Sequence, residues 1–250
     1  MIRLGTSGWR YEDWRGPFYP QDLPQRLWLE HFATRFATVE INNSFYRLPE
    51  RATFTKWANR VNPGFCFAVK VSRYLTHVRR LKSPGEAVSR FAGRAEALGA
   101  HLGPVLLQLP PTLRAELLDG VLRCFSSTIR VAVEPRHESW WTPEIRAVLE
   151  KRSACLVWAD RNGRPVTPLW RTTDWGYLRL HQGAAQPHPR YGRTALRSWL
   201  ERIAETYPPL DRHDVFVYFN NDPGAAAIHD ASAFGRGAER RGLAISRYDA

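Results

Sequence analysis

The sequence predicts a single α/β domain spanning residues 1–250, an eight-stranded (β/α)8 TIM barrel, and three observations carry that prediction. Short apolar runs of strand length occur eight times. Amphipathic segments of helical length separate most of them, which is the pattern of a parallel sheet. A chain of 250 residues also has the length one α/β barrel needs. The alternative is a doubly wound nucleotide-binding sheet. Its phosphate-binding turn is missing, because Gly5-Thr6-Ser7-Gly8-Trp9-Arg10 after the first run lacks the GxGxxG spacing.

In chain order, the strands are expected at 2–6, 39–43, 65–71, 105–109, 131–135, 155–160, 177–181 and 215–220, and the helices at 27–36, 87–98, 113–125, 143–150, 196–207 and 225–241. Two connections break the regular repeat. Residues 161–174 are rich in Pro and Arg without helical periodicity, and 182–193 are rich in Gly, Pro and Ala. They follow strands six and seven, so both belong to the face where α/β barrels carry functional loops.

Side-chain parity locates a site. Successive strand residues point to opposite faces, and in each later strand one parity is apolar and the other polar. Val39 and Ile41 are expected to face the outer helices, with Glu40 and Asn42 facing the barrel axis. By the same rule Lys70 and Ser72, Gln108, Glu134 and Arg136, Trp158 and Asp160, Tyr177, Arg179 and His181, and Tyr218 and Asn220 point inward. These residues gather at the carboxyl ends of the strands, where barrel active sites lie. Left unpaired, each would cost roughly 1–3 kcal/mol, so they pair with one another, with water or with a ligand. Glu40, Glu134 and Asp160 balance Lys70, Arg136 and Arg179, and the mouth is formally neutral. A salt-bridge network that only fills the mouth is the structural alternative. No cofactor is expected. One weakly held divalent ion is admitted but not favoured, because three cations would repel it and only His181 and His137 add to the carboxylates.

The net charge of +12 favours anionic partners, a small molecule or nucleic acid. Only four of the 36 basic residues are lysine, however, a skew that genome composition alone can produce. Cys66, Cys124 and Cys155 lie far apart in apolar runs. They are expected as buried free thiols with no disulfide and no zinc site. With no signal-like apolar stretch after Met1 and no membrane-length run, a cytoplasmic location without membrane association is expected. No sequence feature points to an oligomeric state.

Several motifs together resemble the YecE-like family, domain of unknown function 72 (DUF72). They are Gly5-Thr6-Ser7-Gly8-Trp9 with Trp14-Arg15-Gly16-Pro17-Phe18-Tyr19-Pro20, Val39 to Tyr46, Phe67 to Ser72 with Thr76-His77, Gln108-Leu109-Pro110-Pro111, Glu134-Pro135-Arg136-His137 with Trp140, Tyr177 to His181, and Tyr218 to Asp222. The resemblance covers nearly the whole chain and implies a TIM barrel. The chain departs from the family pattern after strand seven, where His181-Gln182-Gly183 interrupts a His-Gly pair.

Glu40 and Glu134 are the acid/base candidates, since burial tunes a carboxylate toward neutral pKa, with His181 as proton shuttle. Substrate contacts are expected from Asn42, Lys70, Gln108, Arg136, His137, Trp140, Asp160, Arg179, Asn220 and Asn221. Arg136 and Arg179 suit a forked grip on phosphate or carboxylate. Lys70 suits a Schiff base if desolvated, but three nearby carboxylates are expected to keep it protonated, which favours anion or carboxylate binding. Asn221 suits a helix cap as well as a ligand contact. Trp9, Trp14, Phe45, Tyr46, Trp140 and Tyr191, interleaved with Arg10, Arg15, Arg73, Arg79, Arg161 and Arg190, fit either base stacking or a packed lid. Two functions are consistent with these features: an acid/base enzyme, such as a hydrolase, acting on a phosphate-containing substrate, or a non-catalytic barrel binding nucleic acid or a small metabolite.

Overall fold

A computed structural model describes residues 1–113 and 115–248. Arg114, inside the helix expected over 113–125, lies outside the described residues. Ten strands form one sheet: β1 (Ile2–Ser7), β2 (Thr38–Ile41), β3 (Cys66–Lys70), β4 (Leu102–Gln108), β5 (Val131–Glu134), β6 (Cys155–Leu156), β7 (Trp158–Arg161), β8 (Arg164–Pro165), β9 (Gly176–Leu180) and β10 (Val215–Phe219). Their order is β6-β5-β4-β3-β2-β1-β10-β9-β7-β8. All pairs are parallel except β7 with β8. The protein is therefore an α/β fold built on a curled, mostly parallel sheet. All eight expected strands are present, but strand six is split into β6 and β7 around Val157, which donates its N–H to the Val133 carbonyl at 2.9 Å. The stretch 161–174, expected as an irregular loop, contributes β8 in a short hairpin.

The helices are α1 (Trp28–Arg35), α2 (Asn43–Tyr46), α3 (Arg51–Ala58), α4 (Gly85–Ala95), α5 (Leu118–Leu122), α6 (Pro143–Lys151), α7 (Arg193–Thr206) and α8 (Ala226–Glu239). Local chemistry accounts for several. Thr142 caps α6 by accepting from the Ile145 N–H, and Pro143 opens its first turn. Along α7, Leu196, Trp199, Leu200 and Ile203 fall on one stripe and are buried. The helix expected over 113–125 shrinks to α5 after a 3-10 turn at Ala115–Leu117, and Gly120 within it is a weak helix former.

Two apolar clusters separate the layers. The larger lies between sheet and helices and includes Val39, Ile41, Val69, Leu107, Val133, Leu178 and Val217. The smaller fills the concave side of the sheet with Ala68, Leu106, Ala132, Cys155, Val157, Trp175, Tyr177, Phe216 and Tyr218. Small Ala68 and Ala132 leave room there for the two tyrosines. Gly5 allows β1 to lie against β2, since a Cβ at that position would sit 2.0 Å from the Thr38 carbonyl oxygen. Of the three cysteines, Cys155 is buried and Cys66 half-buried, but Cys124, expected inside, is exposed. Cys124 lies in the turn that follows α5, beyond the last helical residue Leu122. Among the described residues, no helix is long and apolar enough to cross a membrane.

Candidate functional site

Above the inner apolar layer the concave side becomes polar, and parity places the residues there. From β2, β5 and β9 come Glu40, Glu134 and Arg179, all buried. Arg179 bridges the two carboxylates. Its Nη2 and Nε donate to Glu40 Oε1 and Oε2 at 2.8 and 3.0 Å, and its Nη1 donates to Glu134 Oε2 at 2.7 Å. Glu40 also accepts from Ser7 Oγ, and from the Tyr177 hydroxyl at 2.6 Å. Glu134 accepts from Gln108 Nε2 at 2.7 Å and bonds His181 Nε2 at 2.8 Å. The Arg136 guanidinium, half exposed, stands 3.7 Å from the same Glu134 oxygen that His181 meets.

This saturation decides the protonation states. Burial alone would raise both carboxyl pKa values. The Arg179 charge overcomes that for Glu40, with help from Ser7 and Tyr177, and holds it below the usual range. Arg179 and His181 hold Glu134 well below it. Burial likewise opposes the Arg179 charge, and the two glutamates outweigh it. The acid/base role expected of Glu40 and Glu134 through a raised pKa is therefore not supported. They are ionised struts.

His181 is placed differently. With Nε2–H donated to the Glu134 carboxylate, Nδ1 is left as the acceptor for Asn220 Nδ2 at 3.1 Å. The ring is partly exposed and lines a cavity of about 390 Å³ together with Glu134, Arg136, His137, Arg161 and Thr167.

Lys70, at the end of β3, is buried to 8% exposure, and its Nζ lies 4.3 Å from the centre of the Phe45 ring. Among the described residues no hydrogen bond or ion pair is found for its ammonium. Burial, reinforced by the Arg179 charge and only partly offset by Glu40 and Glu134, brings its pKa down to about 8.

Asp222, after β10, was missed by strand parity because it lies beyond the strand. Burial, with Glu40 and Asp13 nearby, pushes its carboxyl up to about 7. Tyr11, whose hydroxyl donates to the Ser7 carbonyl at 2.5 Å, works against that rise without cancelling it. The signal available in the sequence was position alone: Asp222 closes the run Asn220-Asn221-Asp222 after the last strand.

Three expected site residues, Asp160, Trp140 and Asn221, are placed elsewhere. Asp160 and Trp158 were expected inward. Instead Cys155, Val157 and Ala159 take the concave side, and Asp160 faces α7. There it accepts from Trp199 Nε1 at 2.8 Å, the Tyr191 hydroxyl at 2.7 Å and the Gly163 N–H at 3.1 Å, and these donors make an outward carboxylate affordable. Removing Asp160 leaves the mouth with two carboxylates against three cations, so the expected neutrality fails. Trp140 is fully buried rather than available to a ligand. Asn221 is buried and donates to the Pro189 carbonyl and to Asp230 Oδ2, tying a loop to α8; it caps no helix, since Asp222 occupies the cap position of the next turn. His137 lines the cavity edge, but its Nδ1 accepts from the Ser139 N–H and caps a 3-10 turn. Asn42 reaches the site, donating to Ser7 Oγ, and its Oδ1 is buried without a hydrogen-bond partner among the described residues. Of the rim aromatics, Trp9, Trp14, Trp140 and Tyr191 are buried and Tyr46 is exposed, so most of that set is packing.

Comparison with known proteins follows the same residues. The family model described as protein of unknown function DUF72 matches residues 3–247. The chain belongs to the DUF72 family. It is 26% identical over 265 residues to the UPF0759 protein YunF of Bacillus subtilis (strain 168), covering 91% of each. Among solved structures it is similar to a DUF72 family protein from Thermotoga maritima, with a TM-score of 0.84, 27% identity and coverage of 96% of this chain and 99% of that one. A DUF72 family protein from Enterococcus faecalis V583 gives a TM-score of 0.82 at 19% identity, covering 100% and 98%, and supports the fold. The DUF72 resemblance expected from the motifs is thus met across the chain.

Proposed function

We propose that the mouth is the active site of an enzyme moving protons on a small anionic, phosphate-containing substrate, a sugar phosphate or a nucleic-acid end. This reading treats the curled sheet as a closed (β/α)8 barrel working in the cytoplasm. The observation that carries it is the Glu134–His181–Asn220 chain at the wall of an open cavity. A buried carboxylate fixes the ring orientation through Nε2, and Nδ1 becomes a base once substrate displaces the Asn220 amide. Glu134 is a positioning residue. Arg136 and Arg161 stand on the cavity wall, suited to holding a phosphate, and Gln108 and Arg179 keep Glu134 ionised. Glu40 has a structural part.

A second reading, a non-catalytic nucleic-acid binder, has its own supporting observation. Between α7 and α8 runs a groove of about 520 Å³ lined by Arg193, Arg197, Arg236, Arg240 and Arg241, and Glu201 is its nearby counter-charge, 3.7 and 3.9 Å from two of them. One experiment separates the two. Wild type, His181→Asn, Glu134→Gln and the double variant Arg236→Gln/Arg240→Gln are assayed on sugar phosphates, phosphomonoesters and oligonucleotides, with binding measured against salt. The enzyme reading expects turnover reduced by roughly 100-fold in His181→Asn, with folding intact and no effect of the groove variant. Turnover insensitive to His181→Asn contradicts it. Salt-steep oligonucleotide binding lost only in the groove variant favours the second reading.

A further inference from the structure

We propose that Lys70 is a carbonyl-capturing amine, so that the mouth takes an aldehyde or ketone bearing an anionic group and holds it as an imine. The inference rests on the reading of the mouth as a substrate site and narrows its substrate class.

The geometry sets Lys70 apart from the rest of the mouth. Each carboxylate that could pair with it is already committed: Glu40 to Ser7, Tyr177 and Arg179, and Glu134 to Gln108, Arg179 and His181. A lysine kept only for charge balance would take one of those oxygens. Lys70 instead lies against the face of Phe45, whose ring also meets those of His77 at 5.1 Å and Tyr46 at 5.3 Å. An ammonium held there has lost most of its water and gained only a ring face.

The charged groups around it do not restore the balance. Arg179 on β9 and Arg136 after β5 repel it, while Glu40 on β2 and Glu134 on β5 attract it. His77, on the turn after β3, has its pKa lowered by burial and then by the charges of Arg73 and Lys70, so that side supplies no counter-charge. Desolvation therefore prevails, and a useful fraction of the amine is free near pH 8.

The step balances without any further reactant. The Nζ lone pair attacks the carbonyl carbon, the C=O π pair moves to oxygen, and a proton passes from nitrogen to that oxygen to give the carbinolamine. The hydroxyl then takes up a proton and leaves as water while nitrogen loses its remaining proton, giving C=N. One carbonyl and one amine become one imine and one water. Arg136, half exposed beside Glu134, is placed to hold the anionic end.

The chain has four lysines, and Lys56, Lys82 and Lys151 are exposed, so it carries its own controls. The intact protein is treated with glyoxylate or with neutral glycolaldehyde, reduced with borohydride, digested, and each lysine's labelling read by mass spectrometry. Near pH 8, Lys70 is expected to label about tenfold faster than the exposed lysines, with the rate rising through that pH, and to prefer glyoxylate when normalised to them. Arg136→Gln is expected to remove the preference and keep the labelling. Preferential labelling without a glyoxylate preference supports the reactive amine and overturns the anion-holding part of the proposed function. Lys70 labelling no faster than Lys56, Lys82 and Lys151 overturns the inference and leaves the His181 assignment standing.

Discussion

The two sides of the mouth are built from similar residues and behave in opposite ways. Where side chains of β2, β5 and β9 meet, Arg179 and the two glutamates share their donors and acceptors until the carboxylates are satisfied. On the β3 side, Lys70 has comparable burial and no ionic partner among the described residues. Asn42 Oδ1 and Asp222 Oδ1 are also buried without hydrogen-bond partners among the described residues. A satisfied buried network is rigid and inert, whereas an unsatisfied buried group is costly and persists where a ligand supplies what is missing. The contrast teaches that the bridged carboxylates are scaffold, on which His181 is held, and that Lys70 is left open to chemistry.

The largest effect expected from this contrast is at Arg179. Arg179→Met leaves two buried carboxylates facing each other, and a loss of roughly 3–5 kcal/mol in urea unfolding at neutral pH is expected. A loss under about 1 kcal/mol would mean that the network is not holding the sheet together.

A smaller effect with a distinct pH signature is expected at Asp222. Its folded pKa lies above its unfolded one, so the folded state holds the proton more firmly. The stability this gives is fully present below about pH 4 and is lost as pH rises through about 7. Asp222→Asn carries no such proton. It is expected to match wild type below about pH 4 and to exceed it by on the order of 3 kcal/mol above about pH 8. Urea melts at both pH values check this, and equal differences at the two would remove Asp222 from the unsatisfied side.

Much of this was legible in the sequence. Alternation in β2, β3, β4, β5, β9 and β10 correctly predicted the inward set Glu40, Lys70, Gln108, Glu134, Arg179 and Tyr218, because a parallel strand packed by helices is apolar on its outer face. The same rule misplaced strand six. It took polarity as the sign of the inner face, but Trp199 and Tyr191, some 30 to 40 residues downstream, supply donors for Asp160 on the outer face. No local pattern carries that information. Trp140 and Asn221 failed for a related reason: in loops, alternation ceases and tertiary packing decides which side chain is covered. Protonation was the least legible property. Glu40 and Glu134 read as tunable acids until Arg179 was seen to bridge both, while the two groups shifted toward neutrality, Lys70 and Asp222, depend on the absence of such a bridge.

The central claim is that Lys70 is desolvated and, among the described residues, has no ionic partner, while the carboxylates beside it are spent on Arg179. Its most direct test is an NMR titration of the four lysine side chains in the folded protein. Lys70 is expected to titrate near pH 8, apart from Lys56, Lys82 and Lys151 near about 10.4. Four coincident midpoints at the higher value would contradict the account.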